Sequence, residues 1–399
     1  MHLIWENLVK NLTLLWTGEF KKLDGGSEEY ELGKGVWEAV AASTSAASDT
    51  IPSAYGSRIP SIAKDRPNVS AEMWSFWTLY PGPVLLRRRF KRPKYYRHFV
   101  QLVRLLNLCM QFEITDEEIE TLRTGFIAWV EEYERIYFQY DVSRMGVCPL
   151  TIHALLHIAA GIKFCGPVWC YWVFPMERFC GSIQPGIWSR RFPWASIDRY
   201  LVESPIRPNT NTIRSIAIAL STRTGSKIGS ITKALKDAVI EEWGKVRRID
   251  SEAEDTMRSC SVGILAEDSR DATYVRYEML VDQIALYRNR EEDFQLETFY
   301  GQLEHIYRIH LSDAFRALDT DGATTYILAA IRTCVLEPED RDLSGLDVHF
   351  YSRAGALDVI DIITVQSLVG RVKDVSNEWA VIDRSGVLAR AEWVGENNT

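Results

Sequence analysis

YVRYEMLV, Tyr274 to Val281, opens the part of the chain whose texture decides the fold class. After it come FYGQLEHIYRIHL (299–311), TTYILAAIRTCVL (324–336), LDVHFY (346–351), LDVIDIITV (357–365), SLVGRVKD (367–374) and EWAVIDR (378–384). Each is a short run rich in β-branched and aromatic residues, and Asp, Gly and Ser turns separate them. This spacing predicts a small, mostly antiparallel β-barrel or sandwich over residues 274–399.

Upstream the period lengthens to that of helices. Leu3, Ile4, Leu8, Leu12, Leu15 and Trp16 recur at helical spacing and Gly18 stops them, so Met1 to Trp16 reads as an amphipathic helix. That helix starts without a capping residue ahead of it, which predicts a further segment before Met1. Val36 to Ala47 can form a small-residue helix, while AASTSAASDTIPSAYGSRIPSI (41–62) reads as flexible connector. Phe99, Val100, Val103, Leu105, Leu106 and Leu108 give Tyr95 to Phe112 a broad apolar face. Thr115 and Glu118 have capping-box spacing and predict a helix running to about Tyr140. Pro149 starts a third helix through His153 and His157 to Phe164. After a linker, 203–213, residues Thr212 to Trp243 read as helix interrupted at Thr224-Gly225-Ser226. The chain is therefore expected to be α+β: a helical N-terminal module (68–202) behind a first helix (1–20) and a connector (21–67), then linker and helices (203–273), then the β domain.

Composition limits the functions available. With 399 residues, 46% of them hydrophobic and 13 tryptophans, the chain can bury sizeable cores. A net charge of −8 argues against a general polyanion binder, so any nucleic-acid contact must be a local patch. Seven scattered cysteines read as reduced thiols of an intracellular protein. The N-terminus lacks a basic leader and a small-residue cleavage site, which argues against secretion. The longest apolar run, Phe164 to Met176, is too short to span a bilayer. The glycines between Gly25 and Gly35 lack the Lys-Ser/Thr or strand context of a phosphate loop.

One patch is strongly basic. RRRFKRPKYYR carries Arg87, Arg88, Arg89, Lys91, Arg92, Lys94 and Arg97, seven cations among eleven residues, with Phe90, Tyr95 and Tyr96 between them. That composition suits phosphate contacts with stacking, or an import signal, or a solvated lead-in to the following helix. Arg190, Arg191 and Arg199 form a weaker second group.

The densest motif is HALLHIAAGIKFCGPVWCYWVFPMER, His153 to Arg178. His153 and His157 sit one helical turn apart, a spacing that can chelate a metal. The metalloprotease pattern needs Glu after the first His, and Ala154 stands there, so no such hydrolytic zinc site is expected and no metal ligands are assigned. Gly166-Pro167-Val168 follows as a turn, then the aromatic run, then Pro175-Met176-Glu177-Arg178. A charged pair after thirteen largely apolar residues either caps a buried element or supplies a site, since an unpaired charge is costly to bury.

The pattern H-x(3)-H-[I/L]-A, G-P-V, W-x-[F/Y]-P-x-E-R resembles the C-terminal part of CACTA-type (En/Spm) transposases, in their basidiomycete fungal version. The resemblance covers about residues 1–20 and 90–200, with GQLEHI and TVQSLVGRVKD as further pieces. It implies a cut-and-paste DNA transposase acting in the nucleus, with DNA or a full-length transposase as partner. The family's RNase H-like core uses clustered carboxylates to hold Mg²⁺. By that resemblance Glu177 is the final catalytic acid, while a structural Glu177–Arg178 pair is the competing account. Many relatives carry an acid in the turn after the second His, where Ala160-Gly161 stands, and one or more earlier acids would precede Met1. Asp116, Glu117 and Glu118 are better explained as helix N-terminal charges. The chain is thus expected to need no cofactor and to cut no DNA alone. A non-catalytic interaction module is the alternative.

Overall fold

The computed structural model describes residues 2–21, 23, 28–52, 55–56, 58–64, 66–172, 204–205, 210–235, 238–247, 256–261, 270–283, 293–310 and 325–384. A wide-turned helix, His2–Val9, runs into α1, Lys10–Trp16, and Gly18 at φ +67° ends it as expected. Then come α2 (Lys34–Ala47), α3 (Ala71–Leu79), α4 (Pro81–Leu85), α5 (Pro93–Cys109) and α6 (Asp116–Tyr133). Thr115 and Glu118 form the full capping box at the start of α6, so the acids there serve the helix terminus. Beyond α6 a wide turn, Glu134–Phe138, closes with Gln139 and Tyr140 both at positive φ.

The helix expected through both histidines is two. Leu150–Leu155 is α7 and Ile158–Cys165 is α8, broken at Leu156 and His157. The break tilts α8 against α6, burying Ala159 and Ile162.

The connector expected over 21–67 is mostly fixed structure. Trp37, Val40 and Ala41 of α2 are buried, and so are Ile51, Tyr55, Ile59 and Ile62 beyond it. Small Ala and Ser side chains let these segments lie close to their neighbours, and the large apolar residues between them anchor the chain. The Tyr55 hydroxyl lies 3.1 Å from the carbonyl oxygens of both Leu368 and Ile382, far along the chain. What composition marks as loose is mortar between the helices and the sheet.

The second half holds α9 (Thr210–Thr224) and α10 (Ile228–Ala234), and strands begin earlier than residue 274. β1 is Ser204–Pro205, β2 Val239–Trp243, β3 Lys245–Arg247 and β4 Thr256–Arg258. The helix expected to reach Trp243 thus ends early, because residues 239–243 pair antiparallel with 306–310. β5 (Tyr274–Asp282), β6 (Phe294–His310), β7 (Thr325–Leu336), β8 (Val348–Asp361), β9 (Val365–Leu368), β10 (Gly370–Lys373) and β11 (Trp379–Ile382) follow.

Every pairing in this sheet is antiparallel. β6 pairs β5 and β7, β7 pairs β8, β8 pairs β11, and β11 pairs β10. β9 and β10 are consecutive, and β9 pairs back onto β5. One stretch, 365–373, therefore closes the curled sheet on itself. Val275, Tyr277, Leu303, Ile306, Ala329, Ile331 and Val365 fill one shared core within it. The parity slip between Leu303 and Ile306 is a β-bulge at Glu304. On another face, Tyr307, Ile309, Tyr326, Leu328 and Ala330 pack under α9 and α10 through Ile216, Leu220 and Ile231.

A third face belongs to the helical half. Val348 and Phe350 of β8, Val372 of β10 and Ala380 and Ile382 of β11 alternate outward into the same apolar cluster as Trp16, Trp77 and Phe99. That cluster is rich in aromatic edges: Trp16 meets Phe90 and Phe99 at 5.4 Å, and its Nε1–H donates to the Tyr137 hydroxyl at 3.0 Å. The division expected near 203–213 separates the two halves in sequence, but their packing crosses it. Among the described residues no helix is long and apolar enough to cross a membrane.

Candidate functional site

Part of the described motif lines one pocket. Gly166 ends α8 at φ +82°, a conformation that L side chains rarely adopt, and Pro167 cannot continue a helix. The chain turns through Val168–Cys170 and brings Val168, Tyr171 and Trp172 back over α8. Opposite them stand Leu3, Ile4 and Trp5 of the first helix and Leu106, Cys109 and Met110 at the end of α5. Ala154, His157, Ile158 and Gly161 complete a cavity of about 310 Å³ whose lining is almost wholly apolar. Burial pushes the Cys109 thiol up to about 12, so it is an inert apolar group here.

His153 and His157 are exposed, with their Nε2 atoms 3.1 Å apart, so that one imidazole donates to the other. Among the described residues no group of three or more His, Cys, Asp or Glu side chains could hold a metal ion. Cys109, Cys148, Cys165, Cys170, Cys260 and Cys334 are free thiols. Trp169 leans away from the cavity, donating to the Phe112 carbonyl at 3.0 Å. Pro175, Glu177 and Arg178 lie outside the described residues, as do Arg190, Arg191 and Arg199.

The basic run is placed along the seam between the halves. Arg87 pairs with Asp340 at 2.7 Å and Glu378 at 2.9 Å, and its guanidinium sits 4.2 Å over the Phe350 ring. Arg89 reaches Asp374 at 3.4 Å and the Ser376 hydroxyl. Arg88, at φ +58°, points between them to Glu378 at 3.9 Å. Arg92 pairs with Glu29, Arg97 with Asp342 at 2.8 Å, and the Lys94 ammonium lies 4.8 Å over Tyr95. Lys91 is exposed. Burial works against the charge of Asp340, but the Asp342 backbone N–H and Arg87 outweigh it and hold its carboxyl below the usual range.

Sequence reasoning missed the other side of this seam. Arg104 donates to the Ser344 carbonyl at 2.9 Å and to its neighbours, fixing the loop that carries Asp340 and Asp342. The acidic stretch EPEDRD, 337–342, was the available signal. No protein-family model, no curated protein and no solved structure matches the chain.

Proposed function

We propose that this chain is the C-terminal portion of a CACTA-like cut-and-paste transposase, a truncated or domesticated form that acts by binding and does no strand chemistry alone. The observation behind the reading is the sequence motif itself; of its described positions, His157 and Val168 line one pocket, and Gly166 and Pro167 make the turn between them. Nuclear DNA and a full-length transposase are the partners the reading implies, and Mg²⁺ chemistry would belong to such a full-length relative. A protein-interaction module of other origin is favoured by one fact, the commitment of Arg87 and Arg89 to carboxylates of the same chain.

The test is direct. Incubated with supercoiled and linear DNA and Mg²⁺ or Mn²⁺, the purified chain is expected to leave both intact. Metal-dependent cleavage or strand transfer that disappears in Glu177→Gln would overturn the non-catalytic reading and make Glu177 its acid.

A further inference from the structure

The arginines of the seam fall into two layers. Arg87 and Arg89 keep only 11% and 17% of their side-chain surface, and their partners Asp340 and Asp374 keep 24% and 3%. Those pairs lie over the shared apolar cluster and belong to the fold. The outer layer differs. Arg92 and Arg97 retain 59% and 64%, facing Glu29 and Asp342 at 47% and 29%, while Arg88, at 66%, comes only within 3.9 Å of Glu378, whose other oxygen already holds Arg87 at 2.9 Å. Exposed ion pairs of this kind contribute little to stability, because water and salt compete for both partners. They are exchangeable.

A guanidinium takes carboxylate and phosphate in the same planar, forked geometry. A carboxylate resting on an exposed arginine therefore occupies the place that a phosphate oxygen would take. We propose that Arg88, Arg92 and Arg97 form a nucleic-acid contact row in which a carboxylate rim, Glu29 and Asp342, holds Arg92 and Arg97 shut. The positive φ of Arg88 serves this arrangement: it turns the middle arginine of Arg87-Arg88-Arg89 outward while its neighbours go inward. Lys91 and Lys94, both exposed between Arg88 and Arg97, extend the row. Glu29 also accepts from the Tyr95 hydroxyl at 3.0 Å, so that rim member is anchored when the row is empty. The partner is a phosphodiester backbone, read without sequence preference, because nothing in the row reads base edges. The inference rests on the reading of this chain as a DNA-binding transposase fragment and adds a regulation to it: local carboxylates set the affinity.

The experiment uses the full chain and duplex DNA in a salt titration. Glu29→Gln and Asp342→Asn together keep hydrogen-bonding capacity and remove two charges. Freeing two arginines should steepen the log–log salt dependence by roughly two units and raise low-salt affinity about tenfold. Because any loss of negative charge favours DNA, a second variant removes the same charge elsewhere: Glu113→Gln and Glu117→Gln, exposed around the start of α6. A gain in the rim variant alone, lost again when Arg88, Arg92 and Arg97 become Ala, supports the proposal. An equal gain in the α6 variant overturns it. Wild type that binds DNA with the rim variant no tighter overturns the rim and leaves DNA binding standing; no binding by any variant at low salt overturns both. Unchanged thermal melts of both variants confirm that folding is not the cause.

Discussion

His98 shows how one side chain ties stability to pH. It lies on the buried face of α5, stacked on Trp129 at 4.4 Å, and the two exchange hydrogen bonds. His98 Nε2–H donates to the Trp129 carbonyl at 3.1 Å and Trp129 Nε1–H donates to the His98 carbonyl at 2.9 Å. Burial pulls the imidazole down to about 4, against the pull of that carbonyl. The unfolded chain, with its histidine at the ordinary value near 6.5, takes up a proton as pH falls below that point, and the folded chain does not. The stabilisation is complete above about pH 6.5 and drains away down to about 4, amounting to roughly 3 kcal/mol over that window. Urea titrations at steps between those values should show the decline, and His98→Phe should flatten it while lowering stability at neutral pH. An identical slope in both proteins would mean that His98 titrates freely in the fold. Asp340, whose carboxyl is held low by its neighbours, contributes in a separate and more acidic window: its share is present above the ordinary carboxylate range and is lost below it.

At the scale of elements, close approach between neighbouring chains sets what a glycine is worth. Gly301 lies in β6 with β5 on one side and β7 on the other. A Cβ there would stand 2.6 Å from Ile331 Cγ2 and 2.7 Å from the Arg332 carbonyl oxygen, and backbone cannot step aside. Gly301→Ala should cost about 1–3 kcal/mol through overpacking. Gly35, in the first turn of α2, has nothing within 4 Å of that position. There the same change should stabilise by up to about 1 kcal/mol, since alanine favours the helix. Denaturant midpoints of the two variants are expected to move in opposite directions; a shared sign would refute the contact account of Gly301. The contrast also explains what the sequence made legible. The Thr115–Glu118 cap could be read because all its partners lie within one turn. VIEEW, 239–243, could not, because five residues of mixed polarity become a strand only by pairing with 306–310. The basic run was visible as charge, yet its use was hidden: Asp340 lies 253 residues from Arg87. Composition likewise marked 41–62 as loose, although Tyr55 within it bonds to Leu368 and Ile382, 313 and 327 residues away.

At the scale of the molecule, the question is whether the helical half can stand without the sheet. The apolar cluster of the helices includes Leu343, Leu346, Val348, Phe350, Val372, Ala380 and Ile382, all from the closed sheet and its loops. The contact is also polar, through Arg87, Arg89 and Arg104, and the edge of β10 is covered in the same way. Arg371 N–H donates to the Thr50 carbonyl at 2.9 Å, and the Thr50 hydroxyl returns a bond to the Arg371 carbonyl at 2.5 Å. An open strand edge invites pairing with other chains, so this cover protects the sheet as well as the helices. Removing either half would expose apolar surface and leave Asp340 and Asp374 without their arginines, a loss that single-domain stabilities of about 5–15 kcal/mol do not readily absorb. The full chain is therefore expected to unfold as one unit. Far-ultraviolet ellipticity, dominated by the helices, and near-ultraviolet aromatic signals from both halves should give coincident denaturation curves. A chain ended at residue 202 should be strongly destabilised or aggregate. Two resolved transitions, or a well-folded fragment with the thermal stability of the parent, would show that the seam joins two self-sufficient domains. In that case the buried pairs at Arg87 and Arg89 would be docking contacts and not part of a common core.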